Sequence, residues 1–507
     1  MTVRRFAWLL LALAIAIPAQ VLRAGAAPGP VTLTLGVDQE VVGLDPNKVT
    51  AFSSFRRIDL LYNRLVRYDA GLHVVGDLAE SWDTPDLRTY IFHLRRGVRF
   101  HDGAELTADD VVFTIQRILD PKTASPARSY LDAVDGVTAV DRYTVRLHLA
   151  YPLASVLSGL TSGNASIVEK TAVLRAGDLQ KTEAGTGPFM LAQWVPDNYM
   201  RLARNPRYFK RGLPKVDEVV IRVIPEQASL LAGVRSRSLD MATISDGSVV
   251  KQAMGDRGLA VQQAPSLNLR IFSFNTTRRP FTDPRVRDAI AYAIDRQAIV
   301  NAAEFGMGVV SGPIPAPDKV WALPVRDFPE YRPDPARAKQ MLQQAGAAGA
   351  SFTITASPTY EGGLAVAEVI QSQLRAAGLN PTIQNVEWGQ YINLWVKRDF
   401  DAMVELRGGD PDPDRFLYRT FYSTGAVNNF LFKDAAVDRL LDRGRVHVSV
   451  DERAPIYHDL ERQLVRQAPA VFLYTPMESQ VLQPYVKGFR LVPTGAITYL
   501  EETSVQR

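Results

Sequence analysis

Short apolar strands followed by amphipathic helices recur along this chain, and this alternation restricts the fold more than any other feature of the sequence. DEVVIRVI (Asp217 to Ile224) is rich in β-branched residues, which is typical of a buried strand. The segment after it places Leu230, Leu231 and Val234 at helical spacing. SFTITA (Ser351 to Ala356) is likewise followed by an apolar helix pattern. The pattern predicts an α/β protein with largely parallel strand pairing.

Three helix starts are marked by capping residues. Thr107 to Asp110 has the form of a capping box. Asp283-Pro284 and Asp334-Pro335 each combine a capping aspartate with a proline in the first turn, where the missing N–H costs nothing. These residues predict where helices begin and carry no information about chemistry.

The N-terminus has the three parts of a secretory signal peptide. Arg4 and Arg5 precede an uninterrupted apolar run from Phe6 to Ile17, and small residues follow at Ala24 to Ala26. The run is shorter than the roughly 20 residues that span a bilayer. We therefore predict a signal peptide over residues 1–26, cleaved near Ala26, and a mature protein that is periplasmic.

The composition excludes several classes of protein. The chain contains no cysteine, so the mature protein has no disulfide, no thiol chemistry and no lipid anchor on an N-terminal cysteine. The formal charge of +4 would fall to +1, because Arg4, Arg5 and Arg23 leave with the signal peptide. A nearly neutral protein lacks the concentrated basic face that nucleic-acid binding needs.

No catalytic or metal-binding motif stands out in the sequence. The chain has no G-x-S-x-G elbow, no H-E-x-x-H and no phosphate-binding loop. None of the six histidines lies three or four residues from another, the spacing at which two histidines share a helix face. FHLRRGVRFHDG (Phe92 to Gly103) predicts a hairpin with an Asp-Gly turn rather than a metal site. We predict no enzyme, no cofactor and no metal.

ELRGGDPDPDRFL (Glu405 to Leu417) is the most unusual stretch of the chain. It fails as a calcium-binding loop, because Arg415 and Phe421 occupy the positions of the required glycine and glutamate. Two interpretations stay open at this point. The stretch is either a ligand contact with glycines for close backbone approach, or a proline-rich turn with solvated acids.

The order of several motifs resembles the family 5 solute-binding proteins of bacterial ABC importers, the oligopeptide-, dipeptide- and nickel-binding group. The resemblance begins near Val31 and covers essentially the whole mature chain. Its motifs are, in order, LDPNKV, LYNRLVRYD, DLAESWDTPDLRTYIFHLRRGVRFHDGAELTADDVVFTIQRILDP, GTGPFMLAQW, NPRYFKRGLPKVDEVVIRVIPE, FNTTRRPFTDPRVRDAIAYAIDR, PDPARAKQMLQQAG, NVEWGQY and GGDPDPDRFL.

The resemblance implies an α/β, two-lobed periplasmic-binding-protein fold with a hinge and an extra subdomain inserted in lobe I. On this pattern residues 27–267 form the first part of lobe I, with the inserted subdomain at about 55–180. Residues 268–485 form lobe II, and 486–507 return to lobe I. The ligand would lie between the lobes, which close over it by hinge bending.

The resemblance also implies candidate binding residues. Trp388 matches an aromatic residue that packs against a ligand side chain in relatives. In peptide-binding relatives an aspartate in the loop that matches the acidic stretch pairs with the ammonium of the peptide. Alignment on Pro413 and Phe416 puts Gly409 at that position and Asp410 one residue later, which weakens a peptide assignment. The remaining candidates are Asp412, Arg407 and Arg128 for charged groups of a ligand, and the loop Gly185, Thr186 and Gly187 for backbone contacts.

The function implied is reversible capture of a peptide or peptide-like solute and its delivery to a membrane permease. The expected partners are the ligand, the ABC permease subunits and, indirectly, the ATPase subunits, and the protein is expected to be a monomer. Within the same fold the ligand could instead be an opine-like compound, a sugar or a metal chelate. Two competing hypotheses are a secreted hydrolase and a chaperone or signalling receptor that uses the fold without transport.

Overall fold

The structure is a computed structural model that describes residues 29–358, 363–447 and 449–507. The predicted signal peptide, residues 1–26, lies outside these described residues. Within the described ranges, no helix combines the length and the apolar character that crossing a membrane requires.

The α-helices are α1 (Phe52–Leu61), α2 (Ala108–Leu119), α3 (Val156–Thr161), α4 (Lys170–Ala176), α5 (Gln227–Arg235), α6 (Gly247–Met254), α7 (Pro284–Ala293), α8 (Arg296–Ala303), α9 (Pro335–Gln344), α10 (Gly363–Ala376), α11 (Trp388–Lys397), α12 (Pro413–Phe421), α13 (Ala435–Val446) and α14 (Val450–Gln467). Short 3-10 helices lie at Pro121–Thr123, Pro126–Tyr130, Gly163–Ala165, Val325–Asp327, Pro329–Tyr331 and Thr498–Glu502.

The strands are β1 (Thr32–Val37), β2 (Val66–Tyr68), β3 (Val74–Gly76), β4 (Ala79–Asp86), β5 (Thr89–Leu94), β6 (Val134–Asp141), β7 (Thr144–Leu149), β8 (Phe189–Val195), β9 (Tyr199–Arg204), β10 (Glu218–Val223), β11 (Met241–Thr243), β12 (Ala260–Pro265), β13 (Leu269–Phe274), β14 (Gly308–Val310), β15 (Ser351–Ala356), β16 (Asn380–Asn385), β17 (Ala402–Arg407), β18 (Ala470–Leu482), β19 (Val486–Lys487) and β20 (Ser504–Val505).

One half of the main sheet, which we call the sheet of lobe I, contains β8, β9, β10, β1 and β11 in that order. β1 pairs in parallel with both β10 and β11, and α5 connects β10 to β11. Leu230, Leu231 and Val234 are the buried residues of α5, as their helical spacing predicts. The strand–helix–strand unit that begins at Asp217 is therefore confirmed.

The other half, the sheet of lobe II, contains β16, β15, β17 and β13, with β14 alongside β18. β15 pairs in parallel with β16 and β17, and α10 connects β15 to β16. The predicted strand Ser351 to Ala356 matches β15 residue for residue. α7 and α9 begin at Pro284 and Pro335, and Asp283 and Asp334 cap them as predicted.

Two segments connect the lobes, and we call them the crossing segments. Residues 266–268 link β12 of lobe I to β13 of lobe II. The 13-residue strand β18 crosses in the opposite direction, because its first half pairs with β13 and β14 and its second half with β11 and β12. The pairing changes from lobe II to lobe I between Pro476 and Met477. The predicted lobe boundaries at residues 268 and 485 stay a prediction.

An inserted subdomain follows α1. Its sheet contains β4, β5, β7 and β6, all antiparallel, and α2 contributes to its buried apolar cluster. The capping box of α2 is confirmed, since the Asp110 carboxylate accepts a hydrogen bond from the Thr107 backbone at 3.0 Å. The Asp-Gly turn is also confirmed. The backbones of Arg99 and Glu105 form an isolated antiparallel β-bridge on either side of it, and Gly103 has a φ of 105°.

The prediction of largely parallel pairing is wrong. Within the described part of the main sheet, parallel pairing is confined to β1 with β10 and β11 and to β15 with β16 and β17. β18 runs antiparallel to all four of its partners. Hydrophobic periodicity depends on which face of a strand is buried, and it does not encode the direction of a neighbouring strand.

The buried apolar clusters follow the lobes. Among the described residues, three clusters lie in lobe II: one under α7 to α10, one between α12 to α14 and the sheet, and a small one around Tyr391. Three more lie in lobe I: one inside the inserted subdomain, one around β1 and β10, and one under α5 and α6. Each lobe therefore has a core of its own. Hydrogen bonds and ion pairs between polar side chains connect the lobes, as described below.

Candidate functional site

A cleft lies between the two lobes beside the crossing segments. Its central cavity has a volume of about 220 Å³ and takes its walls from lobe I, lobe II, both crossing segments and the C-terminal tail. Its charged and aromatic lining residues are Phe55, Arg56, Asp59, Arg64, Arg67, Tyr68, Asp69, Asp410, Arg415, Glu478 and Tyr499. A small solute held in this cavity would contact both lobes at once.

A second and larger cavity, the Trp388 cavity, has a volume of about 700 Å³. Arg56 and Glu478 line both cavities, and their ion pair at 3.2 Å therefore belongs to a wall that the cavities share. Arg57 lines the Trp388 cavity and is only 2% exposed. Burial lowers the pKa of Arg57 to about 10, and its guanidinium donates to the backbone oxygens of Gln39 and Ser53.

Each aspartate of the acidic stretch pairs with an arginine. Asp410 lies 2.6 Å from Arg415, Asp414 lies 3.3 Å from Arg445, and Arg453 makes two hydrogen bonds to Asp412 at 2.7 and 2.8 Å. Burial raises the pKa of Asp410 and raises that of Asp414 to about 6, and in each case the neighbouring guanidinium opposes the effect. The buried carboxylates are thus compensated by the protein itself, which offsets the cost of removing them from water.

The same stretch joins lobe II to the inserted subdomain. Ser158 donates to Asp410 at 2.6 Å, and Ser155 donates to Asp414 at 2.7 Å. Arg415 donates to the backbone oxygen of Ser158 at 3.0 Å. Asp412 caps α12, because its carboxylate accepts from the backbone of Asp414 at 3.0 Å. The stretch is therefore a helix cap and an interlobe contact, and no group of metal-ligating side chains is found in the described part of the chain.

Gly409 has no room for a side chain. A Cβ atom built on Gly409 would lie 2.0 Å from the backbone oxygen of Leu267 and 2.9 Å from Pro315. Leu267 belongs to a crossing segment, and its N–H is held by the oxygen of Pro493 at 3.0 Å. Any side chain at position 409 would collide with this backbone while the lobes hold their present arrangement.

Comparison with known proteins identifies the chain. Residues 73–428 match the bacterial extracellular solute-binding proteins, family 5 middle region. The chain belongs to this family. It is 31% identical to the probable di/tripeptide-binding protein 5 of Pseudomonas aeruginosa over 86% of this chain and 88% of that protein.

Solved structures of this family share the two-lobed fold. The periplasmic binding protein DppA from Helicobacter pylori, in complex with the peptide STSA, is 26% identical with a TM-score of 0.80, covering 94% of this chain and 99% of that one. AgaA from A. tumefaciens R10, in complex with agropinic acid, is 25% identical with a TM-score of 0.79 and the same coverage. The predicted fold class is confirmed, and the protein is a solute-binding protein whose named relatives are binding proteins.

Trp388 lies at the cleft of this solute-binding protein. It is the first residue of α11, and it lines the larger cavity together with Arg56 and Glu478. Its ring stacks on Tyr391 with 5.4 Å between centroids and 13° between planes. Glu387 caps the helix by accepting from the backbone of Gly389 at 2.8 Å. The cap and the stacked tyrosine hold the indole at the cavity wall.

Arg407 is 8% exposed and already has an acidic partner. Its guanidinium lies 2.8 Å from Glu405 and about 5 Å from the ring centroids of Trp395 and Phe430. The predicted candidates Arg407, Gly409 and Asp410 all line one pocket beside the central cavity. The structure therefore brings them together, although each charged member has a protein partner.

Gly185, Thr186 and Gly187 lie outside the walls of the central and Trp388 cavities. The loop packs against the end of α1, where a Cβ on Gly185 would lie 2.0 Å from the backbone oxygen of Leu61. Thr186 is buried and donates to Asn63 at 3.1 Å. The close approach of two backbones accounts for the glycines here.

Arg128 is exposed and lies in the 3-10 helix Pro126–Tyr130. It does not line the central or the Trp388 cavity, whereas its neighbour Tyr130 reaches the pocket beside them. Sequence reasoning missed Tyr130, the Arg56–Glu478 pair and the tail residue Tyr499. The basic segment of α1 offers a weak signal for Arg56, and we find no signal in the sequence for the tail.

Proposed function

We propose that this protein is the periplasmic substrate-binding component of an ABC importer that captures a peptide or peptide-like solute between its lobes. The single observation that carries this proposal is a cleft whose walls come from both lobes and both crossing segments. Binding there would favour the closed arrangement, because only that arrangement contacts the solute from both sides. The permease subunits would recognise the closed form, and ATP hydrolysis by the ATPase subunits would drive uptake.

The protein would act as a monomer, and it would make and break no bonds in its solute. The relatives named above, a di/tripeptide-binding protein and a protein solved with a bound peptide, support a peptide-like ligand. The similarity to a protein solved with agropinic acid supports a second candidate, a non-peptide solute such as an opine-like compound. Export by a cleaved signal peptide stays part of this proposal.

The ligand would lack a free ammonium group. An ammonium buried in the cleft needs a carboxylate partner. Position 409 cannot carry a carboxylate side chain, since a Cβ there would lie 2.0 Å from the backbone oxygen of Leu267. Asp410 is already satisfied by Arg415 and Ser158, at 2.6 Å in each case. Of the other carboxylates that line the central cavity, Asp59 pairs with Arg64 and Glu478 with Arg56, and Asp69 accepts from the backbone N–H groups of Gly71 and His73. This pairing supports a solute whose amine is absent or acylated.

Unmodified di- and tripeptides are expected to stabilise the purified mature protein less than N-acylated peptides or amino-acid conjugates. A ligand present at a hundred times its dissociation constant adds about 2.7 kcal/mol of stability. A thermal-shift screen of peptides, their N-acetyl derivatives and sugars measures the ranking. Tight binding of several unmodified dipeptides would contradict it, and a screen in which no compound raises the melting temperature would count against the proposed function itself.

A further inference from the structure

A small pocket beside the central cavity is rich in arginine. This seam pocket has a volume of about 200 Å³, and its polar lining residues include Tyr130, Arg407, Asp410, Arg415, Arg419 and Thr420. Three of these side chains are cationic and one is anionic. Gly409, Asp410 and Arg415 also line the central cavity, so a solute in the cleft can extend one of its groups into the seam pocket.

The three arginines differ in how their charges are compensated. Arg407 pairs with Glu405 at 2.8 Å, and Arg415 pairs with Asp410 at 2.6 Å. Among the residues that the structure describes, no carboxylate lies within 4.0 Å of Arg419, whose polar contact is the Tyr130 hydroxyl at 3.5 Å. The seam pocket therefore keeps one positive charge without an acidic partner.

The same arginines also have unused hydrogen-bond donors. The Nε atoms of Arg407, Arg415 and Arg419 are each buried without a hydrogen-bond partner in the described ranges. A buried donor without an acceptor costs about 1–3 kcal/mol. These donors face protein rather than the cavity, whereas the uncompensated charge of Arg419 belongs to a residue of its wall. An oxyanion bound in the pocket would supply the missing negative charge.

The seam pocket is built by both lobes. The Arg415 guanidinium lies 3.8 Å from the ring centroid of Tyr130, and that of Arg419 lies 5.5 Å from it. Tyr130 comes from the inserted subdomain, while the arginines come from β17 and α12 of lobe II. An anion bound here would contact residues of both lobes, so its binding would favour closure.

We propose that the seam pocket binds a carboxylate group of the solute, so that the ligand is an acidic peptide-like compound. This inference rests on the proposed function, since it assigns one group of a solute held in the cleft. One uncompensated positive charge matches a monoanionic carboxylate better than a dianionic phosphate. The planar fork of an arginine also suits the two oxygens of a carboxylate.

The test compares the C-terminal amides of N-acetyl-Ala-Glu and N-acetyl-Ala-Gln in calorimetric titrations of the mature protein. Because both C-termini are amidated, the glutamate side chain supplies the only carboxylate of the pair. The wild-type protein is expected to bind the acidic probe about tenfold or more tightly, which corresponds to 1.4 kcal/mol or more. Arg419→Gln is expected to lower this preference to roughly threefold or less, and Arg419→Lys to retain part of it because the charge remains. Arg439→Gln, at an exposed arginine of α13, is the charge-matched control and should keep the wild-type preference.

Equal affinity of the two probes for the wild-type protein would overturn the inference, as would binding of neither probe or an unchanged preference in Arg419→Gln. Displacement of the acidic probe by an equal concentration of inorganic phosphate would show that the pocket prefers a phosphate group. That result would overturn the proposal that it binds a carboxylate. If the probes bind equally while other N-acyl peptides raise the melting temperature, the inference about the seam pocket is wrong and the proposed function stands. Matched melting temperatures of the ligand-free variants establish that Arg419→Gln is folded.

Discussion

Gly409→Ala is expected to weaken solute binding about tenfold or more and to lower the free energy of unfolding. Its Cβ would lie 2.0 Å from the oxygen of Leu267, far inside van der Waals contact. Inserting a methyl group into a packed site costs about 1–3 kcal/mol. Leu267 lies in a crossing segment, is held by Pro493, and faces Gly409 directly beyond the antiparallel pairing of Leu269 with Arg407. The added methyl group would therefore displace the segment about which the lobes turn. Because closure bends this segment, we expect the displacement to disfavour the closed form, and each 1.4 kcal/mol of that cost lowers affinity tenfold.

Gly408→Ala is the matched control for this variant. The nearest atom to a Cβ on Gly408 is Asn268 Oδ1 at 3.9 Å, an ordinary contact. The two variants add the same methyl group to neighbouring residues of one loop. Calorimetric titration with the best compound from the thermal-shift screen, together with small-angle scattering with and without it, measures affinity and closure. Equal affinities of the two alanine variants would show that a methyl group at position 409 does not hinder closure.

Local sequence signals were sufficient for much of the secondary structure. β15 is defined by its own alternating apolar residues, and α7 and α9 by the aspartate–proline pairs at their starts. These signals act within a few residues of the element they define. The direction of strand pairing is different, because it depends on where the chain returns. β18 pairs with four strands that lie far from it in the sequence, and the largely parallel prediction failed for that reason.

The acidic stretch shows why a local reading of the site left two interpretations open. Asp410 finds its partner five residues away, whereas Asp412 is bound by a residue 41 positions away, Arg453. Ser158, which donates to Asp410, lies 252 positions away. Nothing within the stretch itself shows whether such partners exist. The alignment on Pro413 nevertheless placed Gly409 at the position of the relatives' aspartate, and the structure leaves no space for a side chain there.

The cleft as a whole could be predicted only in part. The predicted candidates Trp388, Arg407, Gly409 and Asp410 line its cavities, and their contact with a ligand stays a prediction. The C-terminal tail contributes Tyr499, and α1 contributes Arg56, from opposite ends of the chain. The basic segment of α1 is a weak signal and the tail carries none, because a cavity wall requires only that backbone and side chains meet in space. Arg419 was not predicted for the same reason, since its distance from carboxylates is a property of the folded protein.

The largest effect of pH on stability is expected to come from Asp318, which is 3% exposed in lobe II. Burial raises the pKa of Asp318 to about 8, and the carboxylates of Asp412, Asp410 and Glu461 act in the same direction. In an unfolded chain an aspartate titrates near pH 3.9. The folded state therefore holds the proton more tightly than the unfolded state. The stability contributed by this proton is complete below about pH 4 and is lost as the pH rises toward 8.

Asp318→Asn is expected to make the protein more stable than the wild type at pH 7, because the amide resembles the protonated carboxyl and cannot ionise in the unfolded chain. One proton taken up on folding changes the free energy of unfolding by about 1.4 kcal/mol per pH unit, so the wild type should lose roughly 2–3 kcal/mol more than the variant between pH 5 and pH 7. Part of the slope should persist in the variant, since burial also raises the pKa of Glu461 to about 8. Urea unfolding at pH 5, 6, 7 and 8 measures the difference, with Glu80→Gln, at an exposed carboxylate of β4, as the control. Parallel pH profiles for the wild type and Asp318→Asn would mean that Asp318 is ionised in the folded protein.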